Sequence, residues 1–185
     1  MNRDTLRDLL VFSLLLAIGV AGRWADHAWN FTPLTAVTAL GALYFRNLLP
    51  AVLLPSAILA VSDVFLPSHD SWIVQLSVHA MAIIPLALGR AARKTDGWRR
   101  ATYWGLCGVV PATAFFAVTN FAVWTAKSSY APTLAGLIEC YVRGLPFYRT
   151  MLAGDICFLS LMTACVAAAQ LMDRQTLAFN RLKAR

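Results

Sequence analysis

From Leu6 to Met172 the chain is a succession of apolar runs, each about the length of a membrane crossing and each ended by a short polar break. A run that long leaves few choices. In hydrocarbon the backbone must satisfy its own hydrogen bonds, so only helices or closed barrels are available. The runs lack the polar–apolar alternation of barrel strands, which leaves helices. Six spans are expected, at about 6–22, 31–45, 48–66, 72–89, 103–126 and 151–172. Most have the length that a core of about 30 Å requires, and the second is short. Composition agrees: 59% of the 185 residues are hydrophobic and 14% are charged. A soluble domain carries roughly 25% charge. The expectation is an all-α polytopic membrane protein, residues 1–185 forming one integral membrane domain.

The net charge of +7 is a matter of topology rather than of nucleic-acid binding. With the N-terminus in the cytoplasm, the inner set is Arg3, Arg7, Arg46, Arg90, Arg93, Lys94, Arg99, Arg100, Arg174, Arg181, Lys183 and Arg185. That is 12 of the 16 Lys and Arg residues. Arg23, Lys127, Arg143 and Arg149 fall outside. The positive-inside rule thus places both termini in the cytoplasm. Arg3 and Arg7 before an apolar run look like a signal peptide, but Asp4 and Asp8 spoil the basic region, so this run is expected to stay as the first span.

Other polar groups and aromatics gather at the opposite face. Asp26, His27, Asn30, Asp63, His69, Asp70, Asn120, Glu139 and Asp155 fall there, with Trp24, Trp29, Phe31, Trp72, Trp124, Tyr130, Tyr141, Phe147 and Tyr148. Rings at an interface are ordinary in membrane proteins. Polar groups inside a bundle are costly and usually have a partner or a task. Asn120, with Trp124 one turn on, offers an amide and a stacking face. Its plain alternative is an interhelical hydrogen bond. Asp63 and Asp155 suit cationic or amino groups, and Asp155 equally suits the N-cap of the last span. Between Pro132 and Pro146, "TLAGLIECYV" is too short to span, so a re-entrant or interfacial helix is expected before the last span. On it Glu139 and Arg143 form an ordinary helical pair or part of a site.

Motifs of other chemistries are missing. His27, His69 and His79 show no HxxxH, HExxH or HxH spacing, so no metal is expected. The four cysteines form no CxxC, and no cofactor is implied. No GxxxxGK[ST] is present, so the chain hydrolyses no ATP itself.

The stretches "NFTPLTAV" at 30–37, "SD" at 62–63, "TNFAVW" at 119–124, "YAPTLAGLIECYVRGLPFY" at 130–148 and "GD" at 154–155 carry a resemblance. They resemble an uncharacterised family of six-helix bacterial membrane proteins, DUF6580-like, and through helix count and size the substrate-binding (S) subunits of energy-coupling-factor (ECF) transporters. That resemblance implies capture of a vitamin-like small molecule on the extracytoplasmic face of the bacterial inner membrane. It implies a substrate site at Asn30, Asp63, Asn120, Trp124, Tyr130 and Asp155. It also implies partners: a coupling membrane subunit and two ATPase subunits. Ser13, Ala17 and Ala21 recur every four residues on the first span, similar to the small-residue face by which such subunits dock, or else a face packed within the bundle. The alternatives are a membrane-bound enzyme using Asp63, His69 and Asp155, or an assembly partner of another membrane complex.

Overall fold

The computed structural model describes residues 2–25, 30–66, 71–126 and 129–183. Among them the structure is helical, with no strand: α1 (Arg3–Trp24), α2 (Leu34–Tyr44), α3 (Leu48–Ser62), α4 (Trp72–Met81), α5 (Ile83–Arg93), α6 (Gly97–Leu106), α7 (Val110–Ala126) and α8 (Leu134–Lys183). Four stretches are long and apolar enough to cross a membrane: Arg3–Trp24, Trp72–Arg93, Gly97–Ala126 and Leu134–Met172. This is the build of a membrane protein. The outward surface of α1, with Leu6, Leu10 and Leu14 exposed, is what lipid contact requires.

Two of the expected spans are each broken into a helix pair, and proline explains both breaks. Pro85 cannot donate to the Met81 carbonyl, and Pro111 cannot donate to that of Cys107. α4 gives way to α5 at Ala82, and α6 ends at Leu106. Between α6 and α7 the backbone tightens to i→i−3 bonds, Gly108 N to Gly105 O at 3.0 Å and Val109 N to Leu106 O at 3.2 Å. The basic stretch 90–100, which falls between two of the expected spans, is mostly helical, α5 running to Arg93 and α6 starting at Gly97.

α2 has 11 residues and α3 has 15, or about 16 and 22 Å at 1.5 Å per residue. Both fall short of a full crossing. α2 has no need of one, because it is enclosed: Ala36, Val37, Thr38, Ala39, Gly41 and Ala42 are all buried. Its small residues admit close neighbours. A Cβ on Gly89 of α5 would stand 2.5 Å from the Ala39 carbonyl oxygen and 2.8 Å from the Ala42 Cβ. On the other flank Leu15 of α1 with Leu54 and Ile58 of α3 packs against Val37 and Phe45 as the main apolar core.

The end of α2 is held by arginines. A helix leaves its last carbonyls unpaired. Arg93 Nη1 donates to Leu43 O and Tyr44 O, both at 2.8 Å, and Arg90 Nη1 donates to Phe45 O at 2.6 Å. Arg90 Nη2 adds Arg46 O at 3.2 Å. Two residues legible only as topology signals thus cap the central helix, at the terminus where the helix dipole favours positive charge.

α8 departs most from expectation. The separate re-entrant or interfacial helix between Pro132 and Pro146 is not formed. Residues 134–150 are the first part of one 50-residue helix that carries Pro146 inside it. Pro146 removes one backbone bond, a loss that spanning helices tolerate when neighbours pack around them. α7 is that neighbour, running antiparallel, with Thr113 Oγ1 3.0 Å from the Tyr148 hydroxyl and Tyr141 donating to Ala117 O at 2.6 Å. Farther along, Trp104 Nε1 donates to Thr163 Oγ1 at 2.7 Å. Asp155 therefore lies mid-helix, which removes the N-cap alternative for it. Glu139 and Arg143 pair at 2.8 Å on its exposed side.

Candidate ligand cleft at one end of the bundle

The cleft forms where the chain enters α2 and meets the α7–α8 hairpin. Asn30 has φ 62°, a left-handed conformation that Asn adopts more readily than other non-glycine residues. It joins Phe115, Phe116, Thr119 and Asn120 of α7 and Gly144, Phe147, Tyr148 and Met151 of α8 around a cavity of about 140 Å³. On both helices these positions recur at three- and four-residue intervals, so each set forms one stripe. Phe116 and Tyr148 pack with centroids 4.9 Å apart, and Phe116 meets Tyr141 edge-on at 5.4 Å. The lining is four rings and two asparagines, with Thr119, Gly144 and Met151 between them.

Asn120 faces Gly144. A Cβ at position 144 would collide with the Asn120 amide, so glycine there is what lets the two helices close over the side chain. Asn120 Nδ2 donates to Phe116 O in its own helix at 2.8 Å. The Cys140 thiol reaches its backbone carbonyl at 3.4 Å. The amide therefore serves helix contact and cleft wall together.

The remaining expected site residues lie elsewhere. Trp124 Nε1 donates to Ala131 O at 3.0 Å, and its ring packs on Phe121 at 5.6 Å, which pins the turn between α7 and α8. Tyr130 sits half-buried in that turn. Asp63 is engaged by Arg23 at 2.9 Å and by Gln75 Nε2 at 2.8 Å, tying α1, α3 and α4 together. Asp155 is buried one turn along α8 from Met151. The structure thus brings Asn30 and Asn120 into one cleft, and Asp63, Trp124, Tyr130 and Asp155 are not among its lining. His27 and His69 lie outside the described residues. His79 Nδ1 is 2.9 Å from Gln75 O of its own helix.

The model of a family of unknown function, DUF6580, matches residues 3–177. The chain belongs to the DUF6580 family. No curated protein and no solved structure matches it. For this DUF6580 member the cleft geometry is therefore the main guide to chemistry. Sequence reasoning reached Asn30 and Asn120 but not Phe115, Phe116, Thr119, Gly144 or Met151 as wall residues. The signal for Gly144 was weak but present: a glycine inside an apolar helix marks a place of close approach.

Proposed function

We propose that this protein is the membrane-embedded substrate-binding subunit of an ECF-type uptake transporter for a ring-bearing, vitamin-like molecule. The observation that carries the reading is the aromatic, two-amide cleft at the end of α2 opposite its arginine-capped terminus. Arg3–Trp24, Trp72–Arg93, Gly97–Ala126 and Leu134–Met172 cross the inner membrane, α2 and α3 enter it and return, and both termini lie in the cytoplasm. The Arg90–Arg100 elbow then faces the cytoplasm, and the cleft opens to the outside. A volume near 140 Å³ is below the usual 300–1,000 Å³ of a whole ligand site. It matches a single ring, since an apolar cavity of about 150 Å³ holds benzene. The cleft grips the ring-bearing end of its ligand.

A second feature supports a partner. Ser13, Ala17 and Ala21 are exposed, whereas α1 turns Leu15, Gly19 and Val20 to the bundle. The small-residue face is left to a coupling membrane subunit, which two ATPase subunits would drive.

The test is to purify the protein from its own membranes and identify copurifying small molecules by mass spectrometry. A ring-bearing compound is expected. Phe116→Ala and Asn120→Ala should each weaken its retention by about tenfold to a hundredfold, the loss of one good contact. Ala17→Trp should spare stability and ligand but abolish copurification with the coupling subunit. Full retention in both cleft variants would sink the reading.

A further inference from the structure

Gly144, Tyr148 and Met151 line the cleft along one stripe of α8. The next position on that stripe is Asp155. It is 3% exposed. Thr35 of α2 gives it a side-chain hydrogen bond, and its Oδ2 is fully buried without a hydrogen-bond partner among the described residues. The surroundings are apolar or weakly polar. Cys107 stands close by, Gly154 lies against the Phe31 backbone, and Leu159 belongs to the small cluster with Ala36 and Ala39. No salt bridge reaches Asp155 among the described residues. A carboxylate inside a spanning bundle with no counter-charge is costly to keep, and such groups mark pathways and binding sites.

We propose that Asp155 receives a cationic nitrogen of the ligand, so that the ligand is a ring-bearing organic cation. Its ring occupies the aromatic cleft, and an ammonium- or amidinium-type nitrogen reaches Asp155 Oδ2 about 6 Å deeper, four residues along the helix. The inference rests on the cleft being a ligand site. Met151 stands between the two levels, and its unbranched side chain can swing aside as a branched one could not. Thr35 holds one carboxylate oxygen and leaves the other to form a charge-assisted bond to the incoming nitrogen. Asn30 and Asn120 then set the ring's orientation, and Asp155 selects charge.

The test uses the full chain in detergent and three probes that share a phenyl ring: phenethylamine, phenethyl alcohol and hydrocinnamate. Ligand-observed NMR titrations read their affinities. The amine is expected to bind about tenfold more tightly than the alcohol, one charge-assisted hydrogen bond's worth, and the acid not to bind. Asp155→Asn should bring the amine down to the alcohol and leave the alcohol unchanged. Met151→Ile should also abolish the preference for amine over alcohol by blocking the way, whatever it does to ring binding itself, which supplies a second arm if Asp155→Asn does not fold. Equal affinities in the wild type, or an amine preference that survives either variant, overturns the cation site while leaving the cleft intact. Failure of all three probes to bind overturns the cleft reading with it.

Discussion

Replacing Arg93 with Met removes a guanidinium but keeps most of the apolar stem. The structure assigns that guanidinium to the carbonyls of Leu43 and Tyr44, at 2.8 Å each. A hydrogen bond to a charged group contributes about 1.5–3 kcal/mol. Arg93 is half-buried and one nitrogen serves both carbonyls, so a value around the bottom of that range or slightly below it applies, about 1–2 kcal/mol. For a chain of this size each kcal/mol moves Tm by about 2–4 °C, so the variant should melt about 2–8 °C lower. Arg93→Lys isolates the cause. It keeps the positive charge, but an ammonium lacks the planar fork of guanidinium. It should fall between wild type and Arg93→Met. Arg99→Met is the control, because Arg99 is exposed and its charge contact is the face of Trp98 at 5.8 Å. Melting in detergent followed by tryptophan fluorescence reads all three. If Arg93→Met melts with Arg99→Met, the cap at the end of α2 contributes no stability; if Lys restores the wild-type Tm, the positive charge stabilises the helix end and the guanidinium fork adds nothing.

Gly144→Ala should destabilise the α7–α8 hairpin by about 1–3 kcal/mol through overpacking. Asn120→Ser should relieve most of that loss, a coupling that a double-mutant cycle on Tm would detect and independent sites would not show. Gly89→Ala should cost more than Gly19→Ala in chemical denaturation, because the obstacle at 89 is the Ala39 backbone and at 19 it is the movable end of Ile58; the reverse order would break the packing argument. Cys140 is 2% exposed, so it should react slowly with an impermeant thiol reagent. A cysteine at exposed Ser129 should label in intact spheroplasts, and one at Lys94 only after the membrane is opened; labelling at 94 in intact cells would invert the proposed orientation.

Much of this architecture was legible because hydrocarbon punishes unpaired backbone and unpaired charge at every position. Apolar run length therefore located the first five segments to within six residues, whereas the last helix starts at Leu134 instead of near 151, and the polar breaks ordered them. What escaped was whatever depends on which helix faces which. Pro146 read as a terminator because proline ends helices in water; here α7 lies alongside and the helix runs through it. Pro85 and Pro111 did act as breakers, and the same residue type gave the opposite outcome because the surroundings differ. Arg90 and Arg93 carried a topological signal so plain that it concealed a second role, one visible only when the short α2 is seen to end against α5. Trp124 follows Asn120 by one turn and was paired with it on that ground. Yet a shared face does not fix where a long side chain bonds, and its indole turns to the Ala131 carbonyl. Asn120 shows the limit most clearly. Its amide was conspicuous in an apolar run, and the expectation of either an interhelical hydrogen bond or a pocket wall treated the two as rivals; the amide donates within α7 to Phe116 O and meets α8 by packing on Gly144. Gly144 removes the rivalry. By bringing α8 against the amide it makes the contact, and in doing so it brings Phe147, Tyr148 and Met151 near enough to Phe116 to form the cleft.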